Sequence, residues 1–473
     1  MAPESIAFPE KNAPGSRGAT VACRLTFAPA MKKILVAGAG KSSTYLIHYL
    51  LVKAETHNWQ VTIIDGNLQA IEEKIAGRPR GIAQVIDITD ATARQPLVEA
   101  ADIVLSLMPA HLHTLLAQDC LLFGKNIITS SYASPEMLLL GDEARAKGLL
   151  FLCEMGLDPG IDHMSASQIA HRVEAEGGVI DSFKSYCGGL VAPESDDNPW
   201  HYKIAWNPRN ILLAGTGGAR YEEAGTEVFV PYEKLYENAG EIPVDGYGNL
   251  AFYPNRDSSR YPELYHTPDA TTFMRATLRH PDFCKGWDAV IGMGWTDEGK
   301  PLPPGVKTFA DVSRAVIGEE NLESGVQKFI SAPEKELVVS MLRWLGIFSE
   351  KALPEGATTM AEAFLPLLEE KWALGEADKD LVVMVHDAEY HKAGTRHRII
   401  STLTLEGKDK LFSAMAKTVG MPMALFAEML LEEGAGDYPK GVQIPNMPQI
   451  YEPVLEKLAE HGIRFHEVET VLS

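Results

Sequence analysis

Short apolar runs punctuate the first third of the chain, and each gives way to a stretch with helical spacing. Lys32-Lys33-Ile34-Leu35-Val36-Ala37 ends in Gly38-Ala39-Gly40 and leads into an amphipathic stretch from Ser42 to about Ala54. This order predicts a strand, a tight turn and a helix. Similar runs follow at 61–64, 82–86, 103–107, 126–129 and 149–153, and Ser134-Pro135-Glu136 reads as an N-cap with proline at the first helical position. Strands that alternate with helices pair in parallel. Residues 31–155 are therefore expected to form an α/β, doubly wound, Rossmann-type dinucleotide-binding domain.

Beyond Gly156 the texture changes. Strand-like runs at 179–187, 227–230 and 251–253 are separated by long loops rich in Pro, Gly, Asn and Asp, and loops of that kind are usually functional. Residues 305–378 are acidic and helical in pattern, including 333–348 and 359–371, and read as an all-helical insertion. Alternating runs at 381–385 and 398–405 return to sheet, so 156–304 and 379–434 are assigned together to a second domain. Helices are expected near 423–431 and 450–460, and the tail, about 435–473, is expected to pack back on the first domain. Residues 1–30, rich in Pro, Gly, Ala and Ser, read as a disordered extension with weak transit-peptide features.

Composition narrows the partners. With 43 basic and 64 acidic side chains the formal charge is −21, and such a surface repels nucleic acid and anionic membranes. No uninterrupted apolar stretch reaches the roughly 18–20 residues of a membrane span, so a soluble protein is expected. The five cysteines, Cys23, Cys120, Cys153, Cys187 and Cys284, are odd in number and form no CxxC pair. That is neither a disulfide framework nor zinc spacing, and it fits a reducing cytoplasm and no metal.

Candidate chemistry starts at Gly38-Ala39-Gly40-Lys41-Ser42-Ser43, where such a fold places its phosphate turn. Glycines let the backbone approach a pyrophosphate, and the helix start offers unpaired N–H donors. Asp65 ends the second run 25 residues after Gly40, near the spacing at which a carboxylate accepts ribose hydroxyls and repels a 2′-phosphate, which favours NAD over NADP. A nucleotide-hydrolysing P-loop is disfavoured because Leu35 stands where that motif needs glycine. Asp87-Ile88, Ser106-Leu107-Met108-Pro109 and Ser130-Ser131-Tyr132 fall at later strand ends, where ligands of these sheets bind. In Gly156-Leu157-Asp158-Pro159-Gly160-Ile161-Asp162-His163, Asp162 reads as a helix N-cap and Asp158 as a carboxylate able to hold an ammonium group. Arg256, Arg275 and Arg279 are arginines in an acidic chain, and a forked guanidinium suits a carboxylated substrate.

Taken together, these strings resemble the glutamate-forming saccharopine dehydrogenase, or saccharopine reductase, family. The matching pieces include GxGxxS at 38–43, Gly-Leu-Asp-Pro-Gly-Ile-Asp-His at 156–163, Ser-Tyr-Cys-Gly-Gly-Leu at 185–190, Tyr-Pro-Asn-Arg-Asp-Ser at 253–258, Thr-Leu-Arg at 277–279 and Ser-Ala-Met-Ala-Lys-Thr-Val-Gly at 413–420. The resemblance implies a variant Rossmann domain, a substrate-binding and dimerisation domain on a mixed sheet, an all-helical insertion and a homodimer. It implies dinucleotide contacts from Gly38, Gly40, Lys41, Ser42, Ser43, Asp65, Asp87, Ile88, Leu107 and Met108, and from Gly156, Asp158, Pro159, Gly160 and His163. Saccharopine would lie against Ser131, Tyr132, Leu157, Asp158, Arg256, Thr277, Leu278 and Arg279. His163, Cys187, Tyr132 and Asp158 are candidates for the proton acceptor. Fungal reductases carry a basic residue where this chain has Asp65, a departure that supports NAD.

The implied reaction takes hydride from the lysine-side carbon of saccharopine, a secondary amine joining lysine to glutamate. The resulting imine is hydrolysed to glutamate and 2-aminoadipate 6-semialdehyde. Two rivals remain. A dehydrogenase of carboxylated polyamines would want an acidic pocket, and a non-catalytic dinucleotide sensor has no need of the arginines or of Asp158.

Overall fold

The computed structural model describes residues 30–472, so the expected extension over the first residues, with Cys23, lies outside the described residues. Six strands build the first sheet in chain order: β1 (Lys32–Ala37), β2 (Trp59–Asp65), β3 (Gly81–Val85), β4 (Ile103–Ser106), β5 (Asn126–Thr129) and β6 (Leu150–Leu152). Every pairing among them is parallel, and the order β6-β5-β4-β1-β2-β3 reverses direction between β1 and β4. The unbroken apolar run of β1 follows from burial on both faces: Ile34 and Val36 enter one apolar cluster, and Leu35 and Ala37 enter another. The expected helix at 42–54 begins later, because Lys41–Ser43 first makes a 3₁₀ turn closed by the Ser43 hydroxyl on the Gly40 carbonyl, 2.9 Å. The α-helix itself is Thr44–His57. Ser134 caps as expected, accepting from the Met137 amide at 3.2 Å.

The second sheet contains β7 (Val179–Val191), β8 (Ala219–Glu223), β9 (Thr226–Val230), β10 (Gly240–Val244), β11 (Gly248–Pro254), β12 (Thr272–Arg279), β13 (Asp380–Lys392) and β14 (Thr395–Glu406). It is mixed, since β12 runs parallel to β7 while the other pairings are antiparallel. Between β12 and β13 the chain forms helices Pro281–Met293, Phe309–Ile317, Leu322–Gly325, Lys335–Leu345 and Met360–Lys371. Their apolar faces close around Trp200, Trp287, Trp295 and Trp372. The tail divides between the sheets. β15 (Gly441–Gln443) lengthens the first sheet beside β6, whereas β16 (His466–Leu472) pairs with β14 in the second.

The tail helix expected at 423–431 is longer, Ala414–Glu433. By length and hydropathy it could cross a bilayer, but 83% of its most apolar window is buried inside the protein. It packs on Thr44–His57, where Gly420 comes so near that a Cβ would lie 2.9 Å from the Leu46 amide nitrogen. Core burial explains its composition.

Candidate active site

Gly38 follows β1 at φ 104, and a Cβ there would lie 3.0 Å from the Leu107 carbonyl. Both the left-handed backbone and the close approach select glycine. Gly40 has nothing within 4 Å of a Cβ position and leaves the turn open toward a ligand. Asp65 organises this turn from the end of β2: its Oδ2 accepts from the Ala39 amide at 2.8 Å and its Oδ1 from the Asn67 amide at 2.9 Å. Beside it opens a cleft of about 490 Å³ lined by Ile64, Asp65, Gly66, Val85, Ile86, Asp87, Ile88 and Met108. Apolar walls with two carboxylates at the rim suit an adenosine moiety. Asp87 is exposed and holds Thr89, accepting from its amide at 2.9 Å and its hydroxyl at 2.7 Å. Lys41 reaches toward the second domain, donating to the Ile204 carbonyl at 3.3 Å.

The loop after β6 is a tight knot. The Asp158-Pro159 bond is cis, the Gly156 amide donates to the Pro159 carbonyl at 2.9 Å, and a Cβ on Gly160 (φ 146) would collide with Gly156. The sequence predicts Asp162 as the N-cap of the following helix, but that helix begins at Ile161 and Asp162 lies inside its first turn. There Asp162 accepts from the Gly160 amide at 2.6 Å and from Arg275 Nη2 at 2.6 Å. The same Nη2 donates to Asp158 Oδ1 and to the Tyr132 hydroxyl, 3.0 Å, and Tyr132 in turn donates to Asp158 at 2.9 Å. Arg275 is 2% exposed and stacks 4.3 Å from the Tyr261 ring centroid. Two carboxylates around one guanidinium leave one surplus negative charge.

Strand alternation decides which side chains face this cluster. Arg275, Thr277 and Arg279 share one face of β12, and Cys187 lies opposite Thr277 on β7. Leu278 points the other way, into an apolar cluster with Met274 and Ala276. That side chain is buried there, as the Leu157 side chain is in the core of the first sheet, so a substrate contact of either residue would be made by its backbone. Arg279 is 4% exposed, sits 5.2 Å from the Tyr202 ring centroid and donates to the Leu278 carbonyl at 2.8 Å. No carboxylate pairs with it among the described residues, and its Nε has no partner. Arg256, exposed and at φ 57, lies 5.3 Å from the Tyr132 ring centroid.

Burial sorts the proton-carrier candidates. It pushes the Cys187 thiol and the Tyr132 hydroxyl well above their ordinary values, so neither accepts a proton near neutrality. His163 is fully buried with both nitrogens engaged, Nδ1 by the Tyr265 hydroxyl at 2.5 Å and Nε2 by Glu154 at 2.7 Å. Its ring braces the loop from behind, so a contact of this residue with the dinucleotide would be made by its backbone. Burial raises the Asp158 carboxyl against the opposing pull of Arg275. In Asp162 the burial effect is outweighed by His163 and Arg275, which hold it below the usual range.

Two residues escaped sequence reasoning as site members. Arg275 was visible as an arginine, but its role depends on the strand phase that aligns it with Arg279. His113 links the ends of β4 and β5 within the first domain, with Nδ1 2.8 Å from the Ser106 hydroxyl and Nε2 2.9 Å from that of Ser131. Burial lowers its pKa to about 4, so the ring is neutral. A lone histidine in an apolar stretch carries no such signal.

A parallel dinucleotide-type sheet joined to a second domain on a mixed sheet is the architecture of a two-domain, dinucleotide-dependent oxidoreductase. The chain belongs to the saccharopine dehydrogenase family: residues 34–152 match the saccharopine dehydrogenase NADP binding domain and 156–463 the saccharopine dehydrogenase C-terminal domain. It is 33% identical to saccharopine dehydrogenase [NADP(+), L-glutamate-forming] of Schizosaccharomyces pombe, over 92% of this chain and 99% of that protein. It is also 32% identical to mitochondrial alpha-aminoadipic semialdehyde synthase of Mus musculus, over 93% of this chain and 48% of that protein. The apo saccharopine dehydrogenase (L-Glu forming) structure from Saccharomyces cerevisiae superposes with a TM-score of 0.83 at 30% identity, covering 93% of this chain and all of that one.

Proposed function

We propose that the protein interconverts saccharopine with L-glutamate and 2-aminoadipate 6-semialdehyde, as an NAD(P)-dependent saccharopine dehydrogenase (L-glutamate-forming) of lysine metabolism. The observation that carries this reading is Arg279, a buried cation with no acid beside it in a chain of net charge −21. A buried guanidinium without a counter-ion is costly, and a substrate carboxylate supplies one. Arg256 offers a second carboxylate site at the exposed mouth. A polycationic polyamine would gain nothing from either.

The surplus negative charge of Asp158, Asp162 and Arg275 suits the protonated secondary amine. Asp158, whose carboxyl burial raises toward neutrality, takes its proton. The Tyr132 hydroxyl holds that carboxylate in place. NAD(P), when bound, accepts hydride from the lysine-side carbon. The open cleft admits the water that adds to the substrate imine, and the carbinolamine then splits into the two products. Anchoring the carboxylates on Arg279 and Arg256 would fix the orientation of the C–H bond, so positioning supplies much of the rate.

NAD is the preferred cofactor in this reading. Among the described residues Asp65 and Asp87 line the adenosine cleft and no lysine or arginine does, an arrangement hostile to a 2′-phosphate, although the fission-yeast relative is named for NADP(+). The working unit is a homodimer and the compartment the cytoplasm; the latter is supported by four described cysteines that are free and buried. The domain divisions fall at 155, 304, 378 and 434, with the apolar core of the helical insertion also taking in Trp200, Trp287 and Trp295 from the second domain. Mixing the protein with saccharopine and NAD or NADP and following reduced-nicotinamide absorbance tests the reading. Turnover supports it, and silence with both cofactors in both directions refutes it.

A further inference from the structure

Away from the cleft, one cluster of ligating side chains has a built geometry. The His201 and His280 rings stand 3.8 Å apart, centroid to centroid, and are tilted by 31°. Asp282 Oδ2 lies 3.7 Å from His201 Nε2 and 3.9 Å from His280 Nδ1. Across the three residues, one ligating atom from each falls within 4.8 Å of the others. Ligands at roughly 2.0–2.2 Å around a tetrahedral ion stand a little over 3 Å apart. Closing the triangle requires the two rings to turn their lone pairs toward a common point.

A second layer fixes this triangle. Asp196 Oδ2 accepts from His201 Nδ1 at 2.6 Å, which turns the Nε2 lone pair toward Asp282. A carboxylate behind a histidine is how metal-binding rings are oriented and made more basic. Lys285 donates to Asp282 Oδ1 at 3.0 Å and leaves Oδ2 facing the rings, while the Asp282 amide donates to His280 Nδ1 at 3.2 Å, so His280 would ligate through Nε2. His201 is also held at φ 49, and its amide donates to the Asn198 carbonyl at 3.0 Å. That left-handed backbone is disfavoured for a residue with a Cβ and persists where the surroundings impose it.

We propose that His201, His280 and Asp282 form a three-ligand site for a divalent transition metal of the zinc class, with solvent completing the coordination. The three side chains are 32%, 36% and 21% exposed, so an ion can enter from solution. The location gives the site a consequence. His280 directly follows Arg279, and His201 directly precedes Tyr202, whose ring faces that arginine. An ion fastens the two segments that hold the anion-binding guanidinium, and it takes no part in hydride transfer. The binding claim stands apart from the reading of the substrate.

Another His and carboxylate group, His57, Glu428 and Glu432, is the natural control. There Glu428 is already held by Lys53 at 2.6 Å and by Tyr49 at 2.5 Å. The experiment uses the full chain without a histidine tag, stripped with a chelator and titrated with Zn²⁺ by calorimetry and with Co²⁺ by visible absorption. The expected result is one ion per chain. His201→Gln and His280→Gln each weaken binding at least tenfold, Asp196→Asn weakens it roughly 10- to 100-fold, and His57→Gln leaves it unchanged. Circular dichroism of the metal-free proteins checks folding, and Asp196→Asn, outside the ligand set, serves if a ligand variant misfolds. Absence of stoichiometric binding to the unmodified chain overturns the proposal. So does binding that survives the His201 and His280 substitutions or is lost in His57→Gln.

Discussion

Arg275 Nη2 lies 2.6 Å from Asp162 Oδ2, so a guanidinium carried by the second sheet is clamped to the helix that follows the first. Both groups are almost wholly buried, at 2% and 1% exposure. Breaking a buried pair by removing one partner strands the other charge. Arg275→Met should therefore lower the unfolding free energy by about 3–5 kcal/mol, measured by urea denaturation. The double variant with Asp162→Asn should recover part of that loss.

Arg279 predicts the opposite balance. It is a buried cation with no acid partner, so Arg279→Met should leave the stability of the ligand-free protein unchanged or raise it. The same change should raise the KM for saccharopine by roughly 10- to 150-fold, the equivalent of about 1.5–3 kcal/mol for a lost charge-assisted contact. Arg256→Ala should also raise KM while leaving NAD affinity intact. Thermal unfolding and steady-state kinetics separate the two effects.

Asp158 should set the acid limb of saccharopine oxidation. Its carboxyl is raised by burial, so it stays protonated to a higher pH than an ordinary aspartate and cannot then accept the amine proton. Oxidation should fall as the solution becomes more acidic. Asp158→Asn should lower kcat and flatten that limb of the profile, whereas retention of the limb would assign the proton to another group.

His113 ties stability to pH. Its folded pKa, about 4, lies below the ordinary histidine value of 6.5. The unfolded chain therefore binds more protons between these values. The contribution is complete above 6.5 and is lost as pH falls toward 4, with a total of about 3 kcal/mol. His113→Gln should shallow the decline in unfolding free energy across that window.

Asp65→Ala should relax discrimination between the two cofactors, because it removes the carboxylate that faces a 2′-phosphate. It should also cost stability, since the Ala39 and Asn67 amides lose their acceptor. The ratio of kcat/KM with NAD to that with NADP is the readout. An unchanged ratio would place cofactor choice elsewhere.

Much of the architecture was legible because its causes are local. The β1 run, Gly38 and Asp65 lie in one stretch whose spacing follows from strand, turn and helix geometry. The tail was not readable in this way, since β15 and β16 join different sheets through pairings that no local pattern encodes. The site divides along the same line. Asp158, Arg256 and Arg279 could be named from residue type and motif, but Asp162 looked like a cap because its partner, Arg275, is 113 residues away. His163 drew attention as a titratable group in the 156–163 loop string, and only three-dimensional packing reveals that both its nitrogens are occupied.

The central claim is that carboxylates of the substrate neutralise Arg279 and Arg256. A crystal structure of the protein with NAD and saccharopine tests it most directly. The account predicts one substrate carboxylate on the Arg279 guanidinium, another on Arg256, and the secondary amine within hydrogen-bond reach of Asp158. Saccharopine bound with both arginines untouched, or with its carboxylates held by other side chains, would contradict it.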